Sequence, residues 1–327
     1  MAQQRPCITI VGTGLIGTSM GMAILNAKGK EIEVVGHDKD LGQVRLAQRM
    51  GAVSRAERNL ISACSKADMV VLAMPIAAMR ETLQLIARDL KSGCVVTDTG
   101  ALKVPVLQWA DEILPEGVNF VGGDPILFGD EAGIAAARAD LFKDTYYCIT
   151  PSSRATSEAI KLVSDMVTML GGRPHFIDPY EHDGLVGGTE HLADVVAATL
   201  LHTLSTSGGW RDMRKVCGAT FDRVTCFSQA DPSEYRSRAL LNRANLLRWL
   251  DTFQAELARF RLLIDREDIA AIEQYYQAEM DVRLHWLQDR AKGDWGDMPE
   301  KTALPSSGEL MGQMFFGGLS RRRPPEG

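Results

Sequence analysis

Three glycines set the first chemical possibility. They stand in Ile8-Thr9-Ile10-Val11-Gly12-Thr13-Gly14-Leu15-Ile16-Gly17-Thr18-Ser19, a β-branched run that leads into Gly-x-Gly-x-x-Gly and then an apolar stretch. Strand, tight turn and helix in that order make a site for a dinucleotide. Gly12 permits the sharp turn, Gly14 lets the backbone approach a pyrophosphate, and Gly17 lets helix and strand pack closely. Thr13, Leu15 and Ile16 complete the loop, and the phosphates would sit at the helix N-terminus, where free N–H groups favour negative charge. A second strand-like run, Ile32 to His37, ends at Asp38, 21 residues after Gly17. A carboxylate there reaches a ribose hydroxyl. It points to NAD, because it would repel a 2′-phosphate; Lys39 beside it leaves NADP open.

A nucleotide that accepts hydride needs a neighbour to take a proton. Asp124, after Gly122-Gly123 and before Pro125, is one candidate, with a turn-stabilising role as the alternative. His191 is another; Asp194 follows it by three residues and so shares its helix face. Its alternative is a structural interface histidine. Lys103 opens a helix near the cleft, either to meet a substrate carboxylate or to stand in solvent. His182-Asp183 reads as a hinge or cap, with a functional role as the alternative. No histidine–carboxylate grouping has metal-ligand spacing, so no metal is expected.

The elements that must position these residues alternate. Helices are expected at 15–28, 41–50, 76–89, 103–113 and 155–170. Strands are expected at 68–74, 94–100, 118–123, 144–151 and 174–178. Alternation of this kind means a mostly parallel, doubly wound sheet of Rossmann type, with ligands beyond the carboxyl ends of its strands. Met74, Pro75, Thr97 and Asp98 lie at such ends and are expected around the nicotinamide. After Pro179 strand signals stop and long helical stretches follow at 181–207, 233–264 and 267–289. The expected organisation is a dinucleotide-binding domain over 1–178, a helical domain over 179–291 and a tail over 292–327. The helical part carries more apolar residues than one hairpin can bury, Leu240, Leu246, Leu250 and Phe253 among them, which predicts a homodimer. Leu310, Met311, Met314, Phe315 and Phe316 interrupt the polar tail, which reads either as a segment that docks them on its own or the neighbouring subunit or as a disordered end.

Composition narrows the class. The chain has 327 residues, 45% of them hydrophobic, and a net charge of −6, which gives no electrostatic case for nucleic acid. Six cysteines lie scattered without C-x-x-C spacing, as in a reducing compartment. No apolar run reaches about 20 residues, so no membrane span is expected. The polar start reads as no signal peptide, and the expected location is the cytoplasm.

The ordered set Gly12–Ser19, Asp38, Val71–Pro75, Asp98–Lys103, Gly122–Gly133, Thr150-Pro151 and His182–Leu192 resembles the prephenate/arogenate dehydrogenase family. The resemblance runs from the first strand through the helical half and leaves out the tail. It implies NAD(P)-dependent oxidative decarboxylation of a cyclohexadienyl acid in tyrosine biosynthesis. It also implies a small carboxylic acid as substrate, an all-helical dimerisation domain and a cleft between the two parts. Several motif positions differ. Where the family has a serine this chain has Ala101, with Lys103 retained. The family histidine after Gly-Gly is Asp124. The family's Ser-His-Leu-Pro-His is Glu190-His191-Leu192-Ala193-Asp194. The family's substrate-binding arginine falls at Cys226, with Arg223 close enough to replace it. By resemblance, Asp124, His191 and Lys103 are the catalytic candidates, and Ala101 and Arg223 line the substrate. A relative that oxidises a different small acid and a non-catalytic nucleotide-binding dimer remain the alternatives.

Overall fold

The computed structural model describes residues 5–129, 131–226, 231–293 and 295. The tail patch at Leu310–Phe316 lies outside them. Two compact units divide the chain, Met1–Arg259 and Phe260–Gly327.

The first unit is built on one eight-stranded sheet. Its strands are β1 (Cys7–Val11), β2 (Glu33–His37), β3 (Arg55–Ala56), β4 (Met69–Leu72), β5 (Val95–Asp98), β6 (Asn119–Pro125), β7 (Tyr146–Pro151) and β8 (Arg173–Phe176). Their order is β3-β2-β1-β4-β5-β6-β7-β8, parallel throughout except for the β6–β7 pair. The helices that connect them are α1 (Leu15–Lys28), α2 (Leu41–Arg49), α3 (Leu60–Cys64), α4 (Ile76–Ile86), α5 (Val104–Ile113) and α6 (Ser157–Met169). The central strands β1 and β4 are buried from end to end, as a sheet covered on both faces requires. One buried cluster joins α3, α4 and α5 to one face; another joins α1 and α6 to the opposite face. Strand order reverses between β1 and β4, which opens the crevice where such sheets bind ligands.

Beyond β8 the chain is helical: α7 (Pro179–Val186), a π-helical turn (Gly187–His191), α8 (Leu192–Ser205), α9 (Trp210–Met213), α10 (Ala219–Thr225), α11 (Pro232–Leu241), α12 (Arg243–Asp265) and α13 (Ile269–Lys292). Val186 of α7 joins the core of the sheet's first face. The expected single helix over 181–207 is interrupted by the π turn. Gly187-Gly188 admits it because the Trp249 ring packs where side chains would stand: a Cβ on Gly188 would lie 2.6 Å from that ring. In the second unit, Phe260, Tyr275 and Tyr276 pack in tilted and edge-to-face pairs with ring centroids 5.0 to 6.2 Å apart. Asp268 caps α13 by accepting from the Ala271 N–H, and Gly293 closes it in the left-handed region. No helix among the described residues is long and apolar enough to cross a membrane.

The β1–α1 junction tolerates no side chain at two of its glycines. A Cβ on Gly12 would lie 2.1 Å from the Ala73 carbonyl oxygen, and one on Gly17 would lie 2.0 Å from that of Gly12. Gly17→Ala is therefore expected to lower the unfolding free energy by about 1–3 kcal/mol. Urea denaturation checks it, and an unchanged midpoint would contradict the close packing.

Candidate active site

The β1–α1 turn has the features of an anion cradle. A Cβ on Gly14 would meet nothing within 4 Å, so the space above that backbone is open. The first turn of α1 has no side-chain cap and no acidic residue, which leaves its N–H groups available. Asp38, just past β2, holds the loop in shape. Its Oδ2 accepts from the Thr13 N–H at 2.7 Å and from the Thr13 hydroxyl at 3.2 Å. Thr13 is fully buried, and its carbonyl accepts from the Thr18 hydroxyl. These residues fit a dinucleotide whose pyrophosphate lies on Gly14 and whose ribose meets Asp38. Of the other expected lining residues, Leu15, Ile16 and Met74 are half-buried and Pro75, the N-cap of α4, is exposed. Thr97 is fully buried within β5, and its hydroxyl has no partner among the described residues.

Asp98 and Lys103 take a different part from the one expected. Asp98 Oδ2 accepts from the Gly100 N–H at 2.9 Å and from Lys103 Nζ at 2.5 Å, and Oδ1 accepts from the Gly123 N–H. Lys103 Nζ also donates to the Gly123 carbonyl at 2.6 Å. Both side chains are wholly buried. The expectation that Lys103 meets a substrate carboxylate therefore gives way. Its ammonium is spent pinning the end of β5 to β6, since a buried charge needs its partner close by. Ala101, at the start of the same turn, is half-buried.

Asp124 ends in a chain of charged groups. Its Oδ2 accepts from His182 Nε2 at 3.1 Å, and His182 Nδ1 donates to Asp183 Oδ1 at 2.9 Å. Asp183 then accepts from two backbone N–H groups, those of Lys103 at 2.7 Å and Val104 at 2.9 Å. It thus caps α5 from 80 residues away, where free N–H groups and the helix dipole favour a carboxylate. All three side chains are buried. Burial alone would lower the His182 pKa, but hydrogen bonds to Asp124, Asp183 and Cys148 prevail and raise it to about 11. The ring is thus an imidazolium between two carboxylates. Burial pushes the Asp124 carboxyl up, against the opposing pull of His182 and Lys103.

His191 ends the π-helical turn and stands at the N-cap of α8. Asn242 Nδ2 donates to His191 Nδ1 at 3.2 Å and to the Asp183 carbonyl at 2.7 Å. Asn245 donates to Asn242 Oδ1, which fixes that amide's orientation. Since Nδ1 accepts, the ring hydrogen belongs on Nε2, a buried donor with no partner among the described residues. Burial, and then the Arg238 charge, hold the ring neutral down to about pH 4. Arg223 lies exposed on α10 and forms no hydrogen bond or ion pair with these residues. Three residues that the sequence did not single out join the cluster instead: Arg238, Glu234 and Asn242, spaced four apart on α11 and just past its end. That spacing was their signal.

The chain matches two family models, described as "Prephenate dehydrogenase, nucleotide-binding domain" over residues 22–175 and "Prephenate dehydrogenase, dimerization domain" over 178–278. It is 28% identical to prephenate dehydrogenase of Bacillus subtilis over 288 residues, covering 86% of this chain and 76% of that one. It is 27% identical to cyclohexadienyl dehydrogenase of Zymomonas mobilis, covering 85% and 94%. Its fold superposes with a TM-score of 0.79 on prephenate dehydrogenase from A. aeolicus in complex with hydroxyphenyl propionate and NAD+. That match is 25% identical and covers 87% of this chain and 99% of the other.

Asp183 ties these pieces together, so its loss is measurable. Asp183→Ala leaves His182 charged without its second partner and the α5 N-terminus uncapped. Unfolding free energy is expected to fall by about 3–5 kcal/mol in chemical denaturation. The ordinary histidine pKa is 6.5 and the folded value about 11. The His182 contribution is therefore complete below pH 6.5 and fades as pH rises toward 11. The wild-type advantage over Asp183→Ala should shrink over that interval, and an advantage constant from pH 6 to 10 would contradict the pairing.

Proposed function

The chain belongs to the prephenate dehydrogenase family, and on that premise we propose that it oxidises and decarboxylates a cyclohexadienyl acid. The arrangement that carries the reading is the buried carboxylate of Asp124, backed by the His182 imidazolium, at the cofactor-facing end of the sheet. NAD, held by Gly12 to Gly17 with Asp38 at the ribose, would supply the hydride acceptor. Asp124 Oδ1 carries no hydrogen bond among the described residues, and it is the atom we assign to the substrate hydroxyl. As the hydroxyl-bearing carbon loses hydride, the hydroxyl proton passes to this oxygen and a carbonyl forms. The ring carboxylate then leaves as carbon dioxide, its electron pair completes the aromatic ring, and the ring oxygen takes the proton back.

Burial makes a carboxylate fit for this work. Asp124 has an upward-shifted pKa, so it holds a proton more readily than a solvated aspartate. The His182 charge beside it steadies the ionised form between proton transfers. His191, neutral and with a free Nε2–H, donates to the substrate from the helical side. Met74 and Pro75 border the crevice, and Ala101 leaves room where the family has a hydroxyl. The segment that matches the dimerization domain supports a homodimer. Six free cysteines support a cytoplasmic location.

Purified protein with NAD and either prephenate or arogenate should form reduced cofactor, followed by its absorbance. No turnover of either acid removes the reading. Asp124→Asn cannot take the proton and should lower kcat by about 10²–10⁴-fold while leaving NAD affinity unchanged. A variant with near-normal kcat would free Asp124 of this role.

A further inference from the structure

Beside Asp124 the site holds more charge than proton transfer uses. On α11, Arg238 Nε donates to Glu234 Oε1 at 3.1 Å, and its Nη1 lies 3.8 Å from Asp194 Oδ2. Asn242, one turn further on, reaches His191. Asp194 stands one turn after His191, and Glu190 immediately before it. Glu190 is within electrostatic reach of Asp124, Arg238, Asp194 and His182, and its carboxylate has no hydrogen bond among the described residues. Two buried polar atoms in this cluster, His191 Nε2 and Glu234 Oε2, also lack a partner among the described residues. An N–H donor and a guanidinium thus lie together, with three carboxyl groups next to them, those of Glu190, Asp194 and Glu234.

The sign of the charge decides what fits. The Asp98–Lys103 pair is neutral. Around it, among the described residues, the five carboxyl groups of Asp124, Asp183, Glu190, Asp194 and Glu234 outnumber the two cations paired with them, His182 and Arg238. A substrate side chain that carries only a carboxylate would add negative charge to a surplus of it. One that carries a carboxylate and an ammonium would bring a cation to Glu190 and Asp194 while its carboxylate met Arg238. Burial, and then the Asp124 charge, raise Glu190 to about 7, and burial raises Asp194. Arg238 pulls both carboxyls down, and burial outweighs it.

We propose that this pocket selects an α-amino acid side chain, with Arg238 and His191 Nε2–H receiving its carboxylate and Glu190 with Asp194 receiving its ammonium. The inference rests on the dehydrogenase reading above and deepens it. The substrate is the amino form of the cyclohexadienyl acid rather than the keto form. The two forms share the reacting ring and differ only at the group that the cluster reads. Arg238, about a quarter exposed, is a specificity residue here and is placed to bind substrate without entering the proton transfer.

Two comparisons test this on the full chain with NAD present. In turnover, arogenate should exceed prephenate in kcat/KM by about 10-fold or more, the ratio that one added charge pair of about 1.4 kcal/mol supplies. Glu190→Gln and Asp194→Asn should each reduce the ratio, and Arg238→Gln should raise KM for both acids with a smaller change in kcat. In binding, L-tyrosine and 3-(4-hydroxyphenyl)propionate differ by the amino group alone. Calorimetry should find tyrosine tighter by a similar factor in the wild type and not in Asp194→Asn. Prephenate preferred over arogenate, a ratio unchanged in both acidic variants, or tyrosine bound no more tightly than the propionate overturns the proposal. If neither acid is turned over, the dehydrogenase reading fails and the binding pair, which needs no catalysis, still decides this one. The wild-type comparison also stands if a variant does not fold.

Discussion

One carboxylate carries the geometry of this site. Asp183 accepts from the first N–H groups of α5 and from His182, and its own carbonyl accepts from Asn242. The carboxyl end of β5, the Asp124 carboxylate and the turn that bears His191 all meet through this residue and its partners. A buried carboxylate is costly unless every lone pair is used. Here a helix N-terminus and an imidazolium use them. The same arrangement sets the charge of His182 and, through it, the ionisation of Asp124.

The nucleotide half works by absence of atoms. Gly12 and Gly17 let β1, α1 and the β4 end approach to a distance that no side chain permits, and Gly14 leaves the space above it empty. Asp38 spends one oxygen on Thr13, so the loop is shaped before any nucleotide arrives. The catalytic half works by excess of charge. Lys103 and Asp98 cancel locally and fasten β5 to β6. This leaves Asp124 at the edge of a fixed platform rather than on a loose turn.

The local features were legible in the sequence. Glycine spacing, the acid at the end of β2 and the alternation of strand and helix are short-range patterns, and the structure places them where periodicity put them. Two short elements, β3 and α3, were missed because neither is long enough to show a period. The pairing of Asp124 with His182 joins residues 58 apart, and the capping of α5 by Asp183 joins residues 80 apart. No pattern along the chain encodes such contacts. Lys103 read as a cation for substrate because lysines are rarely buried; only the fold reveals that Asp98 and Gly123 enclose it. His182-Asp183 read as a possible cap, and Asp183 caps a helix from outside its own element. Arg238 lay unnoticed in a stretch read only as helical, 233–264, while Arg223 drew notice because it lies close to Cys226, where the family has its arginine.

The charge of the His182 ring is the most direct measurement of this organisation. In protein labelled with 15N at histidine, both ring nitrogens of His182 should carry protons at pH 8, because the ring lies between two carboxylates and titrates near 11. Nδ1 and Nε2 would then resonate together as an imidazolium while an ordinary exposed histidine is already neutral. A His182 spectrum with one unprotonated nitrogen at pH 8 would contradict it, and the chain of charges from α5 to Asp124 would have to be abandoned.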